Sequence, residues 1–410
     1  LLVIGPVTRL VIPLYHALQV SSAYEYLERR FDARVRTAAS ALFICWRLLW
    51  MATLLWVPCK VLGLITGLDH RSLVLLAGAI TATYTLLGGM RAVLWTDVAQ
   101  FFVLIGSILL GIGLAVNRHP GGLAGMLGAG LDAGLGRPFY PFSADVLSFD
   151  PTVRITVWSC WLGTFVAFMA RYGADQVVVQ RYFTARSLRH ARLGFCLNVA
   201  CAVAALLLLA LFGVAIYCHA AAGPAGGVRL SPIPAFSDFV RSLPAGAPGL
   251  VVAGLFAATM SSVASGINSC ATAVVADFYR RYGGAPDSAA ERRLSLAASA
   301  AFGGAATGLA LVVGRLGSVF EIANRVINGM GAPLLALFVA GLLCRCANRR
   351  GALVGALAGA AVSCGLSFAV ESLSLHYYAV ANLAVTLALI IGASLIENRR
   401  CGPHSPAQLG

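Results

Sequence analysis

Long apolar blocks alternate with short, arginine-bearing polar breaks along this chain. Eleven blocks stand out, at residues 1–20, 38–66, 72–90, 93–116, 153–180, 190–219, 247–277, 294–314, 317–344, 351–371 and 376–397. Each exceeds the roughly 18 residues a helix needs to cross a hydrocarbon core. A helix satisfies every backbone N–H and C=O within one segment, so helices are the predicted spanning form. The alternating ten-residue segments of a lipid-facing barrel are absent. The predicted fold class is an all-α polytopic membrane protein with about eleven transmembrane helices, in one transmembrane domain over residues 1–410.

Composition strengthens this reading. Of 410 residues, 59% are hydrophobic and 11% charged, where soluble domains carry about 25% charge. A soluble globular enzyme is excluded. The net charge of +14 raises nucleic acid as a partner, but the arginines sit in clusters between apolar blocks. That is topogenic charge facing a lipid bilayer, and no nucleic-acid partner is expected. Alternating the blocks across the membrane places eighteen Lys and Arg residues on one face, Arg29, Arg30, Arg181, Arg280, Arg349 and Arg399 among them, and nine on the other. The excess makes the first face cytoplasmic. The protein is then expected in the cell membrane, multi-pass, with a cytoplasmic C-terminus. Segments 117–152 and 220–246 become external loops with room for short helices. The chain opens on Leu1 and Leu2 inside an apolar run, so an upstream segment is expected to precede it.

Two blocks carry interruptions. Block 153–180 holds Gly163, Arg171, Gly173 and Asp175, and block 317–344 holds Asn324, Arg325, Asn328, Gly329, Gly331 and Pro333. Gly, Pro and charge at membrane depth predict broken helices that line a solute pathway. Arg171 is a candidate to face an anionic solute, because a cation within a span is a functional hypothesis. Its alternative is an i,i+4 pair with Asp175. Glu321 and Arg325 share that spacing and suggest a structural pair. Lys60 lies near the outer end of its block and is expected to snorkel to the interface.

In block 247–277, Gly254, Ala258, Ser261, Ser265 and Ser269 recur every three or four residues. This stripe fits close helix packing. It also fits a cation site, because Ser261 and Ser262 supply adjacent hydroxyls. The carbonyl of Ala258 supplies a third oxygen where a serine one turn on perturbs the helix bond. Around residues 84–100, Gly88 and Gly89 end one helix, and Asp97 opens the next on the cytoplasmic side. Asp97 either complements the helix dipole or forms an acidic cation exit. No block offers a Ser/His, Asp/Asp or metal constellation, so no enzymatic activity is expected.

The stretch YTLLGGMRAVLWTDVAQ resembles the signature of the sodium:solute symporter family, which includes sodium/glucose, sodium/proline, sodium/iodide and sodium/monocarboxylate carriers. SAYEYLERRFDARVR, ADQVVVQRYFTARS and FAATMSSVASGINS agree with it, in the family's order. The resemblance implies a leucine-transporter-like inverted-repeat fold that works by alternating access. The eleven blocks would be core helices two to twelve, with the first core helix missing from the chain. It also implies Na⁺ as coupling ion. Ala258 (by its carbonyl), Ser261 and Ser262 fall at the family's sodium-binding positions, and Asp97 and Gln100 at positions linked to sodium binding or exit. Asn324 falls where sugar carriers place a sugar-coordinating Gln, and Arg171 and Tyr172 fall at their aromatic gate. With Asp175, these are the substrate-binding candidates. An Arg at the gate argues against a stacked sugar and favours a carboxylate or other polar solute over a hexose. The function so implied is sodium-coupled uptake of a small organic solute. The alternatives are a membrane sensor module of the same fold and a non-transporting truncated homologue. Against the sensor, only ENRRCGPHSPAQLG follows the last block.

Overall fold

A computed structural model describes residues 2–18, 20, 22–135, 144–153, 156–222, 232–283, 288–314, 319–369, 373–374 and 376–401. Among them the chain is helical, with no strand. A first helix, α1, covers residues 4–18 and includes a π-helical stretch, Val7–Val11. The others are α2 (Glu25–Arg30), α3 (Ala33–Thr66), α4 (His70–Gly89), α5 (Val93–Arg118), α6 (Gly122–Asp132), α7 (Val157–Gly173), α8 (Gln176–Phe183), α9 (Leu188–Ala221), α10 (Pro232–Arg241), α11 (Ala247–Tyr282), α12 (Ser288–Val313), α13 (Val319–Leu343), α14 (Arg349–Ala369) and α15 (Tyr377–Cys401).

Every apolar block of the sequence coincides with a helix. Among the described residues, eight helices are long and apolar enough to cross a membrane. The other three blocks lie in α1, in α7 with α8, and in α13. The long connecting segments 117–152 and 220–246 carry α6 and α10, as their length allows. Local chemistry sets the boundaries. Asp32 accepts the Val35 N–H at 2.9 Å to start α3, and Gly67 (φ 76°) ends it in the left-handed region. Asp69 caps α4 through Ser72 N–H at 3.0 Å, and this bond holds its carboxyl below the usual range. Thr156 and Ser159 form a reciprocal capping box at α7. Each cap satisfies an N–H that the first turn leaves without an intrahelical partner.

Of the two predicted breaks, one forms. Block 153–180 is interrupted between α7 and α8, where Ala174 (φ −125°, ψ −11°) and Asp175 (φ −83°, ψ 116°) leave helical geometry. Block 317–344 does not break. From Val319 to Leu343 it is one α-helix with Pro333 inside it. Proline removes one backbone donor, and a membrane helix tolerates that where neighbouring elements re-satisfy the freed carbonyl. The expectation of a broken helix there is corrected.

The core helix of the bundle is α11. Half of its most apolar window is buried, against 17% for α9. It packs against α3, α4–α5, α8 and α12. Its small-residue stripe permits this: a Cβ on Gly254 would collide with the Ser107 side chain on α5. By contrast, α9 presents Leu193, Leu197, Leu206 and Leu207 outward, as expected of a helix against lipid.

Candidate functional site

Gly89 adopts φ 55°, ψ −164° and divides α4 from α5. Glycine takes that conformation without the Cβ penalty other residues meet. Helical geometry resumes directly after Gly89, so Asp97 lies well inside the helix rather than at its cap. The dipole reading of Asp97 is therefore corrected: its oxygens are met by side chains from other helices. Ser261 Oγ on α11 donates to Asp97 Oδ1 at 2.6 Å. Ser265, one turn further along α11, lies 3.4 Å from Asp97 Oδ2. Arg181 of α8 reaches the same Oδ2 at 2.9 Å and the Ser265 hydroxyl at 3.3 Å, both through one guanidinium nitrogen. Three helices thus converge on one carboxylate.

A fourth helix steadies this group. Tyr84 of α4 donates its hydroxyl to the Met260 carbonyl at 2.8 Å, beside Ser261. Gln100 lies one turn beyond Asp97 on α5, and its Oε1 is buried with no partner among the described residues. Ser262 and Ala258 are half-buried on α11, outside the hydrogen-bonded group. The structure therefore unites Asp97 and Ser261, leaves Ser262 apart, and adds Ser265 and Arg181. Ser265 was visible in the serine stripe. Arg181 read only as a cytoplasmic charge.

The donor set is all oxygen: carboxylate, two hydroxyls and a nearby amide oxygen. Hard cations prefer such ligands, and softer metals take imidazole and thiolate. Among the described residues no His/Cys/Asp/Glu cluster could hold a metal. The arrangement suits an alkali ion bridging α5 and α11.

The α7–α8 break forms a second polar locus. Asp175 Oδ1 accepts the Val177 N–H at 3.0 Å and caps α8. Its Oδ2 is held by Arg47, in the middle of α3. Both side chains are buried, at 9% and 4% exposure. Arg47 also lies over the Trp46 and Phe43 rings, 5.3 and 5.7 Å from their centroids, and its Nε is buried without a partner among the described residues. The i,i+4 pairing of Arg171 with Asp175 is corrected: Asp175 is engaged across helices, and Arg171 is exposed. Helical geometry explains the outcome. The helix ends at Gly173, so residues 171 and 175 do not share one continuous face. Tyr172 turns inward, stacked on Phe168 at 5.8 Å and edge-on to Phe195 at 4.9 Å. Asn324 belongs to α13, but its side chain, like those of Glu321 and Arg325, lies outside the described residues. Arg47 was legible only as a cation within a span, with nothing in the sequence to give its partner.

Comparison with known proteins places this geometry in context. Residues 1–359 match the family described as sodium:solute symporter. The sodium-dependent multivitamin transporter of Oryctolagus cuniculus is 33% identical over 356 residues, covering 85% of this chain and 54% of that protein. Sodium-coupled monocarboxylate transporter 1 of Homo sapiens is 31% identical over 359 residues, covering 86% of this chain and 57% of that one. The chain thus spans little more than half the length of these relatives. A solved structure of a Na⁺-coupled sialic acid symporter, substrate-bound and outward-open, superposes with a TM-score of 0.81 at 24% identity. It covers 96% of this chain and 81% of that one, and the shared architecture is the leucine-transporter-like fold.

Proposed function

From the premise that this chain belongs to the sodium:solute symporter family, we propose that it is the transporting part of a secondary carrier. The carrier couples inward Na⁺ flux to uptake of a small organic solute by alternating access. It resides in the cell membrane with its C-terminus in the cytoplasm, as the excess of Arg on that face supports. The solute is a carboxylate or other polar anion rather than a hexose.

The observation that carries this reading is the Asp97 carboxylate of α5 set 2.6 Å from Ser261 Oγ of α11. An ion held by both groups favours the conformation in which the two helices are together. Such an ion shifts the carrier only by its difference in affinity between conformations. Asp97, Ser261 and Ser265 would hold Na⁺, with Gln100 supplying its unused oxygen. Ser262 and the Ala258 carbonyl extend the oxygen lining along α11. An all-oxygen set of carboxylate, hydroxyl and amide groups suits a hard cation, which supports Na⁺ as coupling ion.

Two features support an anionic solute. Arg171 is exposed at the break of α7 and α8 and pairs with no carboxylate among the described residues. Two of the similar proteins are, by name, a monocarboxylate and a multivitamin transporter. Tyr172 is packed against other rings and is not offered as a stacking surface. Asn324 remains a proposed solute ligand on its position in α13.

The deciding measurement reconstitutes the full-length protein in proteoliposomes with a panel of radiolabelled carboxylates and neutral sugars. Uptake should rise with an inward Na⁺ gradient and stop when an ionophore collapses it. Uptake indifferent to Na⁺ would remove the reading.

A further inference from the structure

The guanidinium of Arg181 stands where a second cation would stand. One of its nitrogens touches Asp97 Oδ2 at 2.9 Å and Ser265 Oγ at 3.3 Å, two of the oxygens of the proposed ion site. Arg181 and Na⁺ therefore compete for one carboxylate. Both together would put two positive charges on a single negative one in a poorly screened setting. The Arg181 side chain is 49% exposed, against 16% for Asp97, so the guanidinium can leave for water while Asp97 stays within the protein.

The two ends of α8 are fastened differently. At its start, Asp175 caps the helix and is gripped by the buried Arg47 of α3. Near its end, Arg181 is attached to α5 and α11 through Asp97 and Ser265. Loss of the second attachment leaves the first in place, together with the buried bond that Ser269 of α11 donates to Gln180 at 2.9 Å, so the change is confined to the Arg181 guanidinium.

The geometry points to Arg181 as a tethered cation that occupies Asp97 when Na⁺ is away. Arrival of Na⁺ then frees the Arg181 guanidinium from Asp97 of α5 and Ser265 of α11. By reciprocity, the Arg181–Asp97 contact weakens Na⁺ by the same factor that Na⁺ weakens the contact. The inference rests on the sodium reading above and assigns a coupling role to a residue outside the ion's own ligands.

The test measures equilibrium ²²Na⁺ binding to the purified full-length protein, at constant ionic strength kept with choline. Arg181→Gln should lower the Na⁺ concentration for half-saturation by about threefold or more, as expected when a competing charge is removed. Arg181→Lys, which keeps the charge, should return it towards the wild-type value. Ser261→Ala and Asp97→Asn should raise it. If Ser261→Ala raises the value but Arg181→Gln leaves it unchanged or raises it, the tethered-cation role is overturned and the sodium site stands. If neither Ser261→Ala nor Asp97→Asn alters binding, the sodium reading itself falls and takes this inference with it.

Discussion

Two of the arginine–aspartate pairs that join helices among the described residues, Arg47–Asp175 and Arg181–Asp97, differ in nearly every physical respect. Arg47 and Asp175 are buried at 9% and 4% exposure, and Asp175 also caps a helix. Arg181 and Asp97 stand at 49% and 16%, and Asp97 shares its oxygens with two serines. Breaking a buried pair by removing one partner leaves an uncompensated charge in a low-dielectric interior and costs about 3–5 kcal/mol. An exposed pair is worth about 0–1 kcal/mol. The first pair is a fastener and the second is exchangeable. Under the proposed function the two serve different ends: one contact holds the helices together throughout, and one can be replaced by Na⁺.

The largest effect should follow Asp175→Ala, which removes the partner of Arg47 and the α8 cap together. We expect a loss of about 3–5 kcal/mol, read as a fall in thermal unfolding midpoint in detergent. A fall no larger than that of Asp97→Ala would erase the distinction between the pairs. Replacing both members, with Arg47→Met and Asp175→Leu, should recover most of that loss, because no charge is left stranded. If the double variant is as unstable as the single one, the cap rather than the charge is the fastener.

Next in size is Ser261→Ala with Ser262→Ala, which should raise the Na⁺ concentration for half-maximal uptake more than about tenfold, or about 1.4 kcal/mol. Ser261→Ala alone should account for most of it, since only Ser261 touches Asp97. An equal contribution from Ser262 would show that the ion sits further along α11 than the structure suggests. The smallest effect should be that of Arg171→Ala. It should slow uptake of anionic solutes a few-fold, spare neutral ones, and leave the unfolding midpoint in place. A shift in stability would mean that Arg171 belongs with the fasteners.

Much of this was legible along the chain. All eleven apolar blocks became helices, because the demand that each spanning segment satisfy its own backbone is local. The break before Asp175 was legible for the same reason: Gly173 and a carboxylate that caps the next helix act within a few residues. The false break at Pro333 had the same signals but no cap, and the helix ran on. Serine spacing on α11 gave a hydroxyl face that by itself favoured packing, with ion binding as the alternative. Gly254 packs against Ser107 while Ser261 meets Asp97, so the one stripe serves both ends.

What the sequence could not give was who meets whom across helices. Arg47 reaches Asp175 over a separation of 128 residues, Arg181 reaches Asp97 over 84, and Ser261 reaches Asp97 over 164. Apolar blocks, caps and arginine bias are properties of neighbours in the chain, so composition and order determine them. Charge partnership depends on the rotation of each helix about its axis and on how closely small residues let helices approach. Those follow only once the whole bundle has packed, and that packing sent Asp175 to Arg47 rather than to Arg171 four residues away.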